Sequence, residues 1–479
     1  MALLSRTILI IRVKTTFQRD VLVPLEADGT APLHVQLERQ LRTAVQAGRL
    51  GANARLPATR VLADDLGISR GVVVAAYEQL TAEGYFVAHR GSGTCVAQLR
   101  HAIPKAPVDE EAVFTARFNF QPGVPDLTAF PRSAWLSSFR RALREMPASM
   151  LGYPDHRGPL ATRRALASYL ARSRATIGEA EQIVLCAGFT QALELIAQLF
   201  RARDIPRVAI ENPGFGNLRR VFTRVGIATE CIPVDEHGLS VERLLESKAQ
   251  AVVVTPAHHY PTGATLSAAR RIALLEWAER RNGLIVEDDY DSELRFDRPP
   301  LGALQGLAPR RVIYVGTASK SLCPGLRQGW LLAPRDLSSE LAQLRRQNDG
   351  GAPALEALTF GEFVRSGAFE RHIRTMRSLF RMRHATLMAA LRKHLPALPV
   401  SGIAAGMHVL LSLPAGCDEA SVVADARQAS INVVGTQYYW MTAGKRAPAL
   451  VLGYGQLDEG LVAEAVAQLA RVISRHLKG

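Results

Sequence analysis

The stretch Gly316-Thr-Ala-Ser-Lys-Ser-Leu-Cys-Pro-Gly-Leu-Arg327 decides how this sequence is read. The chain strongly prefers arginine, with seven lysines against 51 arginines, and Lys320 is the sole lysine between Lys248 and Lys393. A position that keeps lysine against that background needs an amine that can lose its proton. Such an amine forms a Schiff base with an aldehyde; a guanidinium does not. Small and hydroxyl neighbours, with Arg327 seven residues on, suit a buried aldehyde cofactor that carries a phosphate. Taken alone, the segment fits a surface loop lysine about as well, so its context carries the decision.

Outward from Lys320, apolar runs alternate with amphipathic helices. Strand-like runs cover 182–186, 208–211, 251–255, 283–287 and 312–316, and helices fill the intervals, for example 190–203 and 267–281. This alternation predicts a mainly parallel sheet, with ligand chemistry at the carboxyl ends of its strands. Several chemistry-bearing motifs fall at those ends. Ala187-Gly-Phe-Thr-Gln-Ala-Leu193 follows a strand and opens a helix, where free N–H groups make an anion cradle. Glu211-Asn-Pro-Gly-Phe215 offers an aromatic ring on which a flat heterocycle can stack. Thr255-Pro-Ala-His-His-Tyr-Pro-Thr-Gly263 is a turn rich in hydrogen-bonding groups. Val286-Glu-Asp-Asp-Tyr-Asp-Ser-Glu-Leu294 holds four acids within residues 287–291. These carboxylates repel one another and call for a cationic partner. A protonated pyridine nitrogen would serve, and pairing it keeps the ring a strong electron sink. The register is ambiguous by one residue, so Glu287, Asp288 and Asp289 all stay open for that pairing.

At 479 residues the chain is too long for one core, which predicts two or three domains. Hydrophobic residues at 48% and charged residues at 21% are ordinary for a soluble globular protein. The five cysteines are scattered with no CxxC pair, which argues against a zinc site or a disulfide framework and fits a reducing cytoplasm. The apolar run Ile8-Leu-Ile-Ile11 is broken by Arg6, Arg12 and Lys14, too short for a membrane span or a signal peptide. Residues 1–30 read as an unassigned, disordered extension. The net charge of +14 permits nucleic-acid binding without localising it: residues 1–100 hold 12 Lys/Arg against 8 Asp/Glu, and the rest of the excess lies beyond them.

Residues 32–48 place Leu33, Leu37, Leu41 and Val45 four apart, one apolar helical face that ends at Gly48. A second helix is expected from Thr59, as its N-cap, to Leu66; Gly67 lets the chain turn, and Ser69 caps a third helix that runs to about Glu83. This is a helix-turn-helix pattern, whose second helix enters the major groove. The segment 85–96 then gives two short strands around a glycine turn, a wing.

These residues resemble the GntR family of winged-helix regulators, through Arg55-Leu-Pro-Ala-Thr-Arg60, Leu66-Gly-Ile-Ser-Arg70, Ala76-Tyr-Glu-Gln-Leu80, Glu83-Gly-Tyr85 and Gly91-Ser-Gly-Thr94. The resemblance implies that Arg60 and Ser69 reach phosphates and that Arg70 reads a base. It places the wing tip, Arg90 and Gly91, in the minor groove. Gly71 stands where many relatives carry a polar residue, which thins the base-reading set.

Residues 98–117 carry two prolines and several charges and read as a linker between a head at 31–97 and a body at 118–479. The body resembles the fold-type I aminotransferases that bind pyridoxal 5′-phosphate (PLP). That resemblance makes Lys320 the Schiff-base lysine, pairs Asp288 with the pyridine nitrogen and sets Tyr290 on the phenolic oxygen. It stacks Phe215 on the ring and gives the phosphate to Phe189, Thr190, Arg327 and Ser319, with His258 near the ring. Tyr153-Pro-Asp-His-Arg-Gly158 resembles the loop that reaches the neighbour's site in dimers. Metal ligands are not expected.

A GntR-like head on an aminotransferase-like body resembles the MocR family of bacterial transcription regulators, which includes PdxR-type regulators of vitamin B6 synthesis. The resemblance implies a cytoplasmic, nucleoid-associated, head-to-tail homodimer on a double-stranded operator. Such a regulator senses PLP, or the aldimine PLP forms with an amino compound, because one conformation binds the effector better than another. The alternative is a catalytically active aminotransferase. Against it, Ala447-Pro-Ala-Leu-Val-Leu-Gly-Tyr454 lacks the arginine that usually clamps a substrate carboxylate there, and Arg446 sits several residues early.

Overall fold

The computed structural model describes residues 7–13, 19–26, 30–89, 93–98, 116–153, 155–444 and 446–476, with backbone alone for 7–13 and 19–24. The chain divides into two compact units, Met1–Val113 and Phe114–Gly479.

In the first unit, strands β1 (Thr7–Val13) and β2 (Arg19–Leu25) pair antiparallel from Thr7↔Leu25 to Val13↔Arg19. The disordered extension expected over residues 1–30 is thus corrected at Thr7–Val13 and Arg19–Leu25. The run at Ile8–Ile11, too short for a membrane, carries three β-branched residues and pairs with the apolar run Val21–Leu25. Helix α1 (Leu33–Gln46) buries Leu37, Leu41 and Val45 of the four-apart face read from sequence, with Ala44 beside them, while Leu33 at its start is half-buried. Helix α2 (Thr59–Leu66) ends on Gly67 at φ 62°, a left-handed residue that lets α3 (Arg70–Ala82) start almost at once. Val73, Ala76, Tyr77 and Leu80 of α3 close this core against α1 and α2. Thr59 proves to be the first residue of α2 rather than its cap, because Ala58 holds the extended cap conformation. Ser69 does hold the N-cap position of α3, without a side-chain bond to the helix. Strands β3 (Phe86–His89) and β4 (Gly93–Val96) form the wing, with Phe86 opposite Val96. The tip residues Arg90 and Gly91 lie outside the described residues, as does most of the linker.

The second unit is built on one large sheet. A short strand β5 (Phe118–Asn119) precedes it. Then follow β6 (Ile183–Cys186), β7 (Arg207–Asn212), β8 (Ala228–Asp235), β9 (Gly238–Leu239), β10 (Ala251–Val254), β11 (Leu284–Asp289), β12 (Val312–Thr317) and β13 (Gly329–Leu332). Their order across the sheet is β6-β13-β12-β11-β10-β7-β8-β9. The central neighbours β12, β11, β10, β7 and β8 run parallel; β13 is antiparallel to both β6 and β12. Both faces are covered, as a parallel sheet requires. Ala251, Val253 and Val286 pack with the helix Phe189–Ala202, while Val252, Val254 and Ile285 pack with Trp277 of the helix Ala268–Arg280. That alternation sets which side chains at a strand end look toward which layer. A smaller four-stranded sheet follows, made of β14 (Val400–Ser401), β15 (His408–Ser412), and, after β16 (Ile431–Asn432), β17 (Val434–Gly435) and β18 (Ala449–Gly453). β16 pairs instead with β5, which ties the region of the smaller sheet to the start of the unit.

Candidate functional site

The carboxyl ends of β6, β7, β10, β11 and β12 open onto one cavity of about 330 Å³, within the range of small-molecule sites. Lys320 lies three residues past the end of β12 and lines it. Its Nζ donates to the carbonyl oxygen of Gly123 at 2.5 Å. Burial lowers its proton affinity, opposed by the nearby carboxylates of Asp291 and Asp288. A buried amine of this kind is primed to attack an aldehyde.

The strand alternation sorts the acids of β11. Asp288 shares the face of Val286 and lines the cavity. Glu287 and Asp289 point the other way: Glu287 accepts from the Leu304 and Gln305 N–H groups at 2.9 and 3.0 Å, and Asp289 pairs with Arg174 at 2.6 Å. Of the three acids left open by the sequence, Asp288 alone reaches the cavity. Its Oδ1 is buried without a hydrogen-bond partner, and burial, then Asp289, raises its proton affinity well above the ordinary carboxylate range. A buried carboxylate oxygen with nothing to hold it fits a cationic ring nitrogen.

At the other end of the cavity the helix Phe189–Ala202 begins. Gly188, its N-cap, sits at φ 83° and ψ −176°, a conformation essentially reserved for glycine. A Cβ there would stand 3.6 Å from the Arg327 guanidinium and 3.8 Å from Ser319 Oγ. The first N–H groups of the helix, Arg327 and the Ser319 and Thr317 hydroxyls therefore surround one small space, suited to a phosphate. Thr317 Oγ1 donates to Ser319 Oγ at 2.9 Å. Phe215 lines the cavity, 41% exposed, with its ring 6.2 Å from that of Phe189 and tilted 62° to it. These features together fit a flat, phosphorylated pyridine aldehyde.

Tyr290 lines the cavity too, whereas His258 does not reach its wall. The His258 ring lies behind Tyr290, 6.3 Å away and 22° from parallel, and its Nδ1 sits 2.8 Å from Asp291 Oδ2. Burial of the turn after β10 turns this imidazole inward, 4.8 Å from His408. Sequence reasoning assigns no individual role to Gly123 and His408, which come from distant segments, or to Asp291, which it counts only as one acid of the 287–291 cluster. It also passes over the carboxyl of Glu211, although the motif that holds it is recognisable. Glu211 lines the cavity, accepts from Thr255 N and Oγ1 at 3.0 and 2.6 Å, and is pushed up to about 8 by burial. Arg446 is elsewhere: its guanidinium stacks 4.2 Å over the Trp440 ring and donates to Thr442 Oγ1 at 2.9 Å.

In the head, Arg60 in the first turn of α2 and Ser69 and Arg70 at the start of α3 are all exposed. Arg70 Nε donates to Thr59 Oγ1 at 3.4 Å, a weak bond. Among the described residues, no helix is long and apolar enough to cross a membrane, and no cluster of side chains is arranged to hold a metal ion.

Comparison with known proteins agrees with this division. Residues 33–96 match the family described as bacterial regulatory proteins, gntR family, and residues 125–445 match aminotransferase class I and II. The pyridoxine biosynthesis transcriptional regulator PdxR of Corynebacterium glutamicum is 35% identical over 95% of this chain and 99% of its own length. The probable rhizopine catabolism regulatory protein MocR of Rhizobium meliloti is 32% identical over 93% of this chain and 94% of its own. Among solved structures, an α-aminoadipate aminotransferase of Thermus thermophilus complexed with N-(5′-phosphopyridoxyl)-L-leucine is similar at a TM-score of 0.69. The two share 25% identity, and the match covers 78% of this chain and 96% of the enzyme. A gntR-type head and an aminotransferase-type body on one chain, matched nearly end to end by such regulators, place it in the MocR family: it is a DNA-binding transcription regulator whose aminotransferase-like domain takes pyridoxal 5′-phosphate.

Proposed function

We propose that this regulator reads PLP itself, and through it the supply of vitamin B6. The observation that carries this reading is the charge of the cavity wall. Among the described residues that line it, the basic side chains are Lys320, Arg327 and His408, and burial holds the proton affinity of His408 far below the ordinary range, leaving it neutral. Lys320 and Arg327 are both committed by the PLP fit. No guanidinium is left for the carboxylate of an amino acid, and Arg446 is stacked on Trp440 outside the cavity. A bidentate arginine–carboxylate pair has no easy substitute. The PdxR relative, a pyridoxine biosynthesis regulator by name, supports the same direction.

On this reading Lys320 would hold the cofactor's aldehyde carbon and Asp288 its ring nitrogen. Tyr290 would hold its phenolic oxygen, and Phe215 would cover the ring. Phe189, Thr190, Ser319 and Arg327 would hold the phosphate. When bound, PLP supplies a reactive aldehyde on an electron-withdrawing ring. His258 would act through Asp291 and the back of Tyr290 rather than on the ring itself. Arg60 and Ser69 would contact phosphates, Arg70 a base, and Arg90 and Gly91 the minor groove. The regulator would work in the cytoplasm as a homodimer, its partner covering the exposed side chains of Leu151 and Tyr153.

A second reading, an active aminotransferase, is favoured by Lys320, Asp288 and Tyr290 sharing one cavity. Mixing the PLP-loaded protein with a panel of L-amino acids separates the two. The regulator reading expects the bound PLP spectrum to persist over many minutes. Rapid conversion to the aminated form would favour the enzyme.

A further inference from the structure

Behind the cavity, on the far face of β11, lies a buried ion pair that the cofactor fit does not use. Arg174, the last residue of the helix Leu160–Arg174, is 1% exposed, and its Nε stands 2.6 Å from Asp289 Oδ2. Tyr314 of β12 donates its hydroxyl to the same oxygen at 2.5 Å. Another Arg174 nitrogen donates to the Leu301 carbonyl, and the Arg174 carbonyl accepts from Ala303 N, so the residue is fixed from both ends. An arginine so deeply buried is costly unless its position is needed. Asp289 is the immediate chain neighbour of Asp288, and Tyr314 lies on the strand that leads to Lys320.

We propose that Arg174 is a positioning residue for the cofactor: by offsetting much of the Asp289 charge from the far side of β11, it leaves Asp288 able to carry the negative charge that pairs with the pyridine nitrogen. Tyr314 ties the same carboxylate to the strand that carries Lys320, so the two cofactor anchors share one support. The inference rests on the assignment of Asp288 to the ring nitrogen. The physical cause is short-range repulsion: an unpaired Asp289 carboxylate in a water-poor interior disfavours a second charge one residue away. Asp291, Glu211 and Lys320 face Asp288 from the other elements around the cavity; Glu287, Glu293, Arg271 and Arg377 stand around the Arg174–Asp289 pair. None of these donates a hydrogen bond to Asp289, which accepts only from Arg174 and Tyr314 among the described residues.

The test uses the full chain and measures PLP affinity across pH in Arg174→Met, Asp289→Asn and the double variant, with thermal melts as a check on folding. Arg174→Met is expected to weaken PLP binding about tenfold at neutral pH and to move the acid limb of the binding profile upward. Adding Asp289→Asn removes the uncompensated charge and should return affinity to within about threefold of the parent. A folded double variant no better than Arg174→Met would overturn the proposal. If Arg174→Met does not fold, Asp289→Asn alone decides: the acid limb should move downward with affinity retained, and weaker binding with an unmoved limb refutes the idea. Asp288→Asn is measured alongside. If that variant binds PLP as the parent does, the assignment of Asp288 is wrong, whatever Arg174 does.

Discussion

The Nζ of Lys320 donates to the backbone carbonyl of Gly123 at 2.5 Å, a contact between residues 197 apart in the chain. The bond holds the amine inside the cavity in a buried environment that lowers its proton affinity. Lys320→Arg keeps the positive charge but cannot form the covalent link. The variant should fold, and it should lose the bound-PLP absorption on desalting, while the parent retains it.

Glu211 predicts a pH dependence of stability. Its carboxyl, ordinarily near 4.5, is pushed up to about 8 by burial, against the two bonds from Thr255. The folded protein therefore holds this proton more tightly than the unfolded chain does. The resulting stabilisation is fully present below about 4.5 and is lost as pH rises to about 8. Glu211→Gln removes that titration. In urea unfolding of the PLP-free protein, the variant should gain on its parent between about pH 5 and pH 8, by on the order of 1–3 kcal/mol. A difference that does not change with pH would contradict the placement of Glu211.

At Gly188 the backbone lies at φ 83°, and a methyl group would point toward Arg327 and Ser319. Gly188→Ala should cost about 1–3 kcal/mol of stability through backbone strain. It should also weaken PLP, and inorganic phosphate as a competitor, in parallel. Unchanged phosphate competition would show that the anion cradle lies elsewhere.

In the head, exposed Arg70 and Arg60 are expected to fail differently. Arg70→Ala should lose about 1–3 kcal/mol of operator affinity and relax base preference at one position. Arg60→Ala should weaken all DNA sequences alike and reduce the salt slope by about 1. Fluorescence anisotropy at several salt concentrations on operator and scrambled duplexes distinguishes them.

Whether a feature is legible in the sequence depends on whether its signal is local. Leu37, Leu41 and Val45 announce α1 because a helical face repeats every three to four residues, and all three are buried. Five strands of the large sheet, β6, β7, β10, β11 and β12, match their apolar runs within a residue or two, because those runs are buried on both faces; β8, β9 and β13 are not read from the sequence. The choice among Glu287, Asp288 and Asp289 is not legible: it turns on which face of β11 looks toward the helix Phe189–Ala202, a fact of layering rather than of composition. His258 is equally out of reach, since its direction is set by Asp291 and by His408 on another sheet. The pairing of β1 with β2 escapes a sequence reading because β-branched residues in short strands carry a weak signal until a partner is found.

The most direct test of PLP-linked regulation is DNA binding by the purified full chain to the region upstream of its own gene, with and without PLP. The account predicts that PLP changes the affinity or the footprint of the parent and leaves Lys320→Ala unmoved. A parent whose affinity and footprint are the same in both conditions would contradict it.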